Sequence, residues 1–116
     1  MLKVKALLFD VFGTVVDWRT GIAKEVESVA KKNDISIDPF DFADAWRAEY
    51  QPAMEEIRKG RRSFTILDIL HMENLKKIAS KFNLQHLSDE DFNMLVKAWH
   101  RLPGWPDSSE GLNALK

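Results

Sequence analysis

Residues 5–17 read KALLFDVFGTVVD, and the order of apolar run, aspartate and glycine-threonine decides the fold class. Val4, Leu7, Leu8 and Phe9 form a short apolar stretch bounded by a turn signal, the pattern of a strand buried on both faces. Asp10 falls at the carboxyl end of that strand, the end that faces the ligand crevice in open α/β sheets. Gly13 permits a tight turn that leaves backbone amides open to an anion, and Thr14 sets a hydroxyl beside the carboxylate. Taken alone, the Asp-x-x-Gly-Thr spacing fits a nucleophilic carboxylate and an ordinary strand end equally well.

Beyond residue 17 the periodicity is helical. Thr20 is the expected cap of a helix with Ile22, Val26, Val29 and Ala30 on one face and Asn33 as its stop. Asp38-Pro39 opens a second helix that Gly60 ends, and Pro52 predicts a kink or a split near Tyr50. Thr65 begins a third helix with Leu67, Leu70, Leu75, Ile78 and Phe82 inward. Ser88 begins a fourth with Phe92, Leu95, Val96 and Trp99. The loop LPGWPD at 102–107 breaks the register, and Ser108 is the expected cap of a short amphipathic helix with Leu112 and Leu115.

The 116 residues are 45% hydrophobic, with 17 basic against 18 acidic side chains, so no nucleic-acid or acidic-membrane footprint is expected. The absence of cysteine removes disulfides and thiolate metal sites. No secretory signal or membrane-length apolar run is read, and the cytoplasm is the expected location. A single strand buried on both faces has two unpaired edges, so the element requires partners the chain does not supply.

A second constellation is AWRAEYQPAM at 45–54. Helical spacing places Arg47, Tyr50, Gln51 and Met54 along one face before any kink at Pro52. Arg47 there offers a bidentate clamp for a carboxylate, though a solvated or interdomain ion-pairing arginine fits the same pattern. His71, spaced with Leu67, Leu75 and Ile78, reads as a satisfied histidine on a packed face. His86 and His100 lack metal-ligand spacing, and Asp89, Glu90 and Asp91 read as a helix-start charge run. Trp18, Trp46, Trp99 and Trp105 fit the packing of an interdomain seam.

The string FDVFGTVVDW at 9–18 resembles the first motif of the haloacid dehalogenase superfamily, whose leading aspartate attacks the substrate and forms an ester. On that resemblance Asp10 is the nucleophile. Phosphatase members carry a second aspartate, the general acid that also helps to position magnesium, where this chain has Phe12. A phenyl ring moves no proton, and halide leaves without one, so the substitution points to displacement at carbon. The segment from Phe42 to Arg58, with WHRLPGWPD at 99–107, is similar to the cap of L-2-haloacid dehalogenases, in which an arginine after a tryptophan holds the substrate carboxylate; Arg47 matches it.

The resemblance implies an α/β fold: a haloacid dehalogenase-like Rossmannoid core, of which only the first strand and crossover helix are present, with an inserted helical-bundle cap domain, the chain being truncated. Residues 1–18 would be the first core strand and nucleophile loop, 19–100 the crossover helix leading into the cap, and 101–116 the return linker and start of a second core helix. The implied reaction is hydrolytic dehalogenation of 2-haloacids to 2-hydroxy acids through an aspartyl ester, with no cofactor. Asp10 would be catalytic, and Arg47, Thr14, Phe12, Tyr50 and Gln51 would bind substrate, Thr14 and the turn amides contacting the Asp10 carboxylate. The alternatives are a phosphatase relative using magnesium and a noncatalytic helical interaction module. The expected partners are a small 2-haloacid and either the missing C-terminal half of the core or a second copy, and the chain alone is expected to be inactive.

Overall fold

Six helices and one 3-10 turn make up the regular structure in the computed structural model, which describes residues 3–116. They are α1 (Trp18–Lys32), α2 (Pro39–Ala48), α3 (Tyr50–Arg58), α4 (Leu67–Ile78), α5 (Asp89–Ala98) and α6 (Ser108–Ala114), with the 3-10 turn Ala79–Phe82 after α4. The chain is thus mostly helical, and the expected strand at 4–9 is not formed. Val4 is 76% exposed and Leu8 97% exposed, and no strand is assigned among the described residues. A strand exists only through hydrogen bonds to a neighbour, and this segment finds none among the described residues.

The helices begin and end where local chemistry dictates. The side chain of Asp17, rather than the expected Thr20, caps α1, accepting from the Thr20 amide at 3.2 Å. Asp38 caps α2 through the amides of Phe40 and Asp41, with Pro39 at the first helical position, as the sequence implies. The split expected near Tyr50 falls at Glu49, which closes α2 and opens α3. Pro52 then lies in the first turn of α3, where an amide would lack an intrahelical partner in any case. Ser88 caps α5 at 3.1 Å. Neither Thr65 nor Ser108 acts as the expected cap: the Thr65 hydroxyl donates to Ser63 O, and the Ser108 hydroxyl to Val15 O.

The core forms where the apolar stripes of α1, α2, α4 and α5 converge. Ile22, Val26, Phe42, Leu75, Leu84 and Leu95 are fully buried, each contributing roughly 1.5–3 kcal/mol by removal from water. Helix α1 packs on α2 and α5, and α4 on α2, α3 and α5. Asp91 does more than the expected charge run at a helix start. It is 2% exposed and ties α5 to the end of α1, accepting from Lys32 at 2.9 Å and from Asn33 at 3.1 Å.

The segment 102–108 straps the region around Asp10 to the helices. The Asp17 amide donates to Pro103 O at 2.8 Å, the Trp105 amide to Val15 O at 3.1 Å, and the Trp105 indole to Gly13 O at 3.0 Å. Gly21 permits this approach, because a Cβ there would lie 2.8 Å from Pro103 Cδ.

Candidate active site

Asp10 is exposed, and the Thr14 hydroxyl donates to its Oδ2 at 2.8 Å. One carboxylate oxygen is therefore held while the other is left for chemistry. The turn between them closes on itself: Val11 O accepts from Thr14, Val15 and Val16 amides at 3.2, 2.9 and 3.2 Å, and the Gly13 amide donates to Val16 O at 3.0 Å. This corrects the expectation that these amides face an anion, since backbone carbonyls already engage them. Gly13 sits at φ +91°, a conformation costly for a residue with a Cβ.

Arg47 meets the loop of Asp10 through Phe12. Its guanidinium carbon lies 4.2 Å from the centre of the Tyr50 ring and 5.8 Å from those of Phe12 and Trp18. Three rings from the loop, α1 and α3 thus face one half-buried cation. No hydrogen bond or salt bridge holds the guanidinium among the described residues, whereas Arg19, Arg58, Arg61, Arg62 and Arg101 all pair with carboxylates. The neighbouring Trp46 points the other way, 1% exposed, its indole donating to His71 O at 3.0 Å. Trp46 thereby anchors α2 to α4 and fixes the direction of Arg47.

Behind these residues lies a packed aromatic wall. Trp99 contacts Phe12 edge-on at 5.5 Å, Trp46 at 5.4 Å, and stacks on Trp18 at 6.3 Å. His71 stacks on Trp99 at 4.6 Å and 10° between planes, and on Tyr50 at 6.4 Å. The expected packed face holds, with His71 3% exposed, but the expected satisfaction does not: among the described residues its Nε2 has no hydrogen-bond partner, nor does Trp99 Nε1. Burial pushes the imidazole down to about 4, with the Arg47 and His100 charges acting in the same direction and Asp68 against them. Trp18, Trp99 and His71 were not among the residues expected to build the site, although the helical spacing of Trp99 with Phe92, Leu95 and Val96 placed it on an inward face.

The structure thus brings together Phe12, Arg47 and Tyr50, and separately Asp10 with Thr14. It does not bring Gln51 to them: that side chain is exposed, and its amide oxygen accepts from Arg58 at 3.1 Å. A cavity of about 210 Å³ adjoins the loop that follows Asp10, lined by Phe9, Thr14, Val15, Ser108, Leu112 and others. Among the described residues no three His, Cys, Asp or Glu side chains gather to hold a metal ion, and no helix is long and apolar enough to cross a membrane.

Two solved structures show the same arrangement of chain. The defluorinating L-2-haloacid dehalogenase Rha0230 is 46% identical, with a TM-score of 0.87 over 91% of this chain and 44% of its own. The L-2-haloacid dehalogenase PA0810 is 35% identical, with a TM-score of 0.85 over 97% of this chain and 48% of its own. This chain spans less than half the length of each. No protein-family model matches it, and no curated protein matches it.

Proposed function

For a chain that belongs to the haloacid dehalogenase superfamily and resembles L-2-haloacid dehalogenases over nearly all its residues, we propose a role in the hydrolytic dehalogenation of small 2-haloacids to 2-hydroxy acids. The observation that carries this reading is Arg47: a cation unpaired among the described residues, held among three rings and reaching the loop of Asp10 through Phe12. A carboxylate ligand fits it, because its two oxygens match the guanidinium fork and the surrounding rings exclude water.

In this reading Arg47 holds the substrate carboxylate, and the Asp10 oxygen not bound by Thr14 attacks C2. The new C–O bond forms as the carbon-halogen bond breaks, and the electron pair leaves with the halide. Water then adds to the carboxyl carbon of the Asp10 ester, releasing the 2-hydroxy acid and restoring the carboxylate. Only the first step occurs at C2, so configuration there inverts. Phe12 and Tyr50 wall the pocket, Gln51 acts at most from its rim, and no metal takes part. The helices from α2 to α5 act as the cap of such an enzyme, α1 as its crossover helix, and residues 4–9 as the first core strand. The exposure of Leu8 and Val4 supports pairing of that segment with strands outside this chain, from the remaining core or another copy.

The test is turnover in heavy-oxygen water by an enzyme that joins this chain to the remaining core. Label should enter Asp10 during multiple turnovers, and Asp10→Asn should abolish halide release. Steady halide release with no label in Asp10 would refute the ester, and a strict magnesium requirement would restore the phosphatase reading.

A further inference from the structure

Two buried polar atoms, His71 Nε2 and Trp99 Nε1, belong to rings stacked 4.6 Å apart beside the Arg47 site, and neither has a hydrogen-bond partner among the described residues. Burying an unpaired polar group is costly, and a phenyl ring would fill the same space without that cost. Packing alone therefore does not account for an imidazole at position 71. Its ring meets the aromatic surround of Arg47 twice, stacking on Tyr50 and on Trp99, which in turn carries Phe12 and Trp18. The Tyr50 ring is also the closest of the three to the guanidinium, at 4.2 Å.

We propose that His71 is a positioning residue for the anion site, setting through its stack on Tyr50 the place of the ring against which the Arg47 guanidinium rests. This rests on the reading of Arg47 as the clamp for a substrate carboxylate. A neutral imidazole suits the position, because an imidazolium would set a second cation behind the guanidinium, and burial keeps the ring neutral at ordinary pH. The trade is one of stability for geometry: the unpaired nitrogen weakens the fold, while the polar ring orients its neighbours. Displacement of a clamp by a fraction of an ångström is enough to alter recognition of a small, rigid anion.

The experiment follows 2-chloropropionate binding to this chain by chemical-shift titration, alongside thermal melting, for the wild type, His71→Phe, Arg47→Lys, Tyr50→Leu and the double variant His71→Phe/Tyr50→Leu. His71→Phe should melt no lower than the wild type yet bind about tenfold more weakly, with the Tyr50 ring resonances shifted. In the Tyr50→Leu background the same change should have no further effect on affinity. Unchanged affinity in His71→Phe, or additive losses in the double variant, overturns the proposal, while a loss in Arg47→Lys shows that the clamp reading stands. Failure of the wild type to bind overturns the clamp reading and the proposal with it. Should His71→Phe not fold, His71→Gln carries the same comparison, and affinity that follows melting temperature alone assigns His71 to packing.

Discussion

Arg47 and Tyr50 face each other across the break between α2 and α3, with the guanidinium carbon 4.2 Å from the ring centre. The two residues are three apart in sequence, the spacing that sets side chains on one helical face, and the pair is kept although α2 ends at Ala48 and α3 starts at Tyr50. Arg47→Lys keeps the charge but loses the planar fork and the broad stacking surface. It should weaken carboxylate binding by roughly 1–3 kcal/mol and leave the melting temperature almost unchanged. Calorimetric titration with 2-chloropropionate beside a thermal melt checks this; a lowered melting temperature with intact binding would make Arg47 a structural residue.

Gly21 and Pro103 define a second test. A Cβ at position 21 would lie 2.8 Å from Pro103 Cδ and 3.0 Å from Leu102 Cδ2. Alanine gains about 1 kcal/mol of helix propensity over glycine, but overpacking against a ring fixed by its own backbone hydrogen bond costs about 1–3 kcal/mol. Gly21→Ala should therefore destabilise the chain and speed hydrogen exchange at the Asp17 amide, which donates to Pro103 O. A higher melting temperature would show that the strap yields.

The pH dependence of stability should carry the signature of His71. Its folded value lies at about 4, below the ordinary 6.5, chiefly because burial disfavours the charged form. Between those values the unfolded chain binds a proton that the folded chain does not. The contribution of the neutral ring is complete above 6.5 and is lost as pH falls from 6.5 toward 4. Urea unfolding across this range should show the decline in the wild type and a shallower one in His71→Phe. Parallel curves would mean that the ring gains its proton in the folded chain as readily as in the unfolded one.

Asp91 adds a second loss of stability toward acid. Its hydrogen bond from Lys32, then that from Asn33, holds the carboxyl below the usual carboxylate range. The stability it supplies is present above the unfolded value and disappears as pH falls through the lowered folded one. Asp91→Asn should lower the melting temperature at neutral pH and remove that acid-dependent portion. A melting temperature equal to that of the wild type at neutral pH would show that the link between α5 and α1 is dispensable.

The residues that made these elements legible in the sequence are those whose information is local. Asp38-Pro39 and Ser88 announce helix starts because a cap is decided within three residues, and Pro52 marks a break for the same reason. Asp10, Thr14 and Arg47 are singled out by the resemblance of the longer strings that hold them, since residue type and spacing alone fit a structural reading as well. The strand at 4–9 could not be realised, since its hydrogen bonds must come from another segment. Gln51 is exposed and engaged by Arg58 seven residues on, a pairing that the spacing of 47, 50 and 51 does not reveal. His71 looked satisfied because periodicity predicts burial but says nothing about where a ring nitrogen finds a partner. Trp18 and Trp99 join the surround of Arg47 through contacts spanning dozens of residues, which no local pattern contains.

The hydrogen bond from the Asp17 amide to Pro103 O, 2.8 Å long, closes a ring of chain that holds α1 to α5. Entry and exit of that helical block stand side by side, like the two leads of a plug. A block with adjacent leads can be carried by a host fold at a single loop without forcing the host's flanking segments apart.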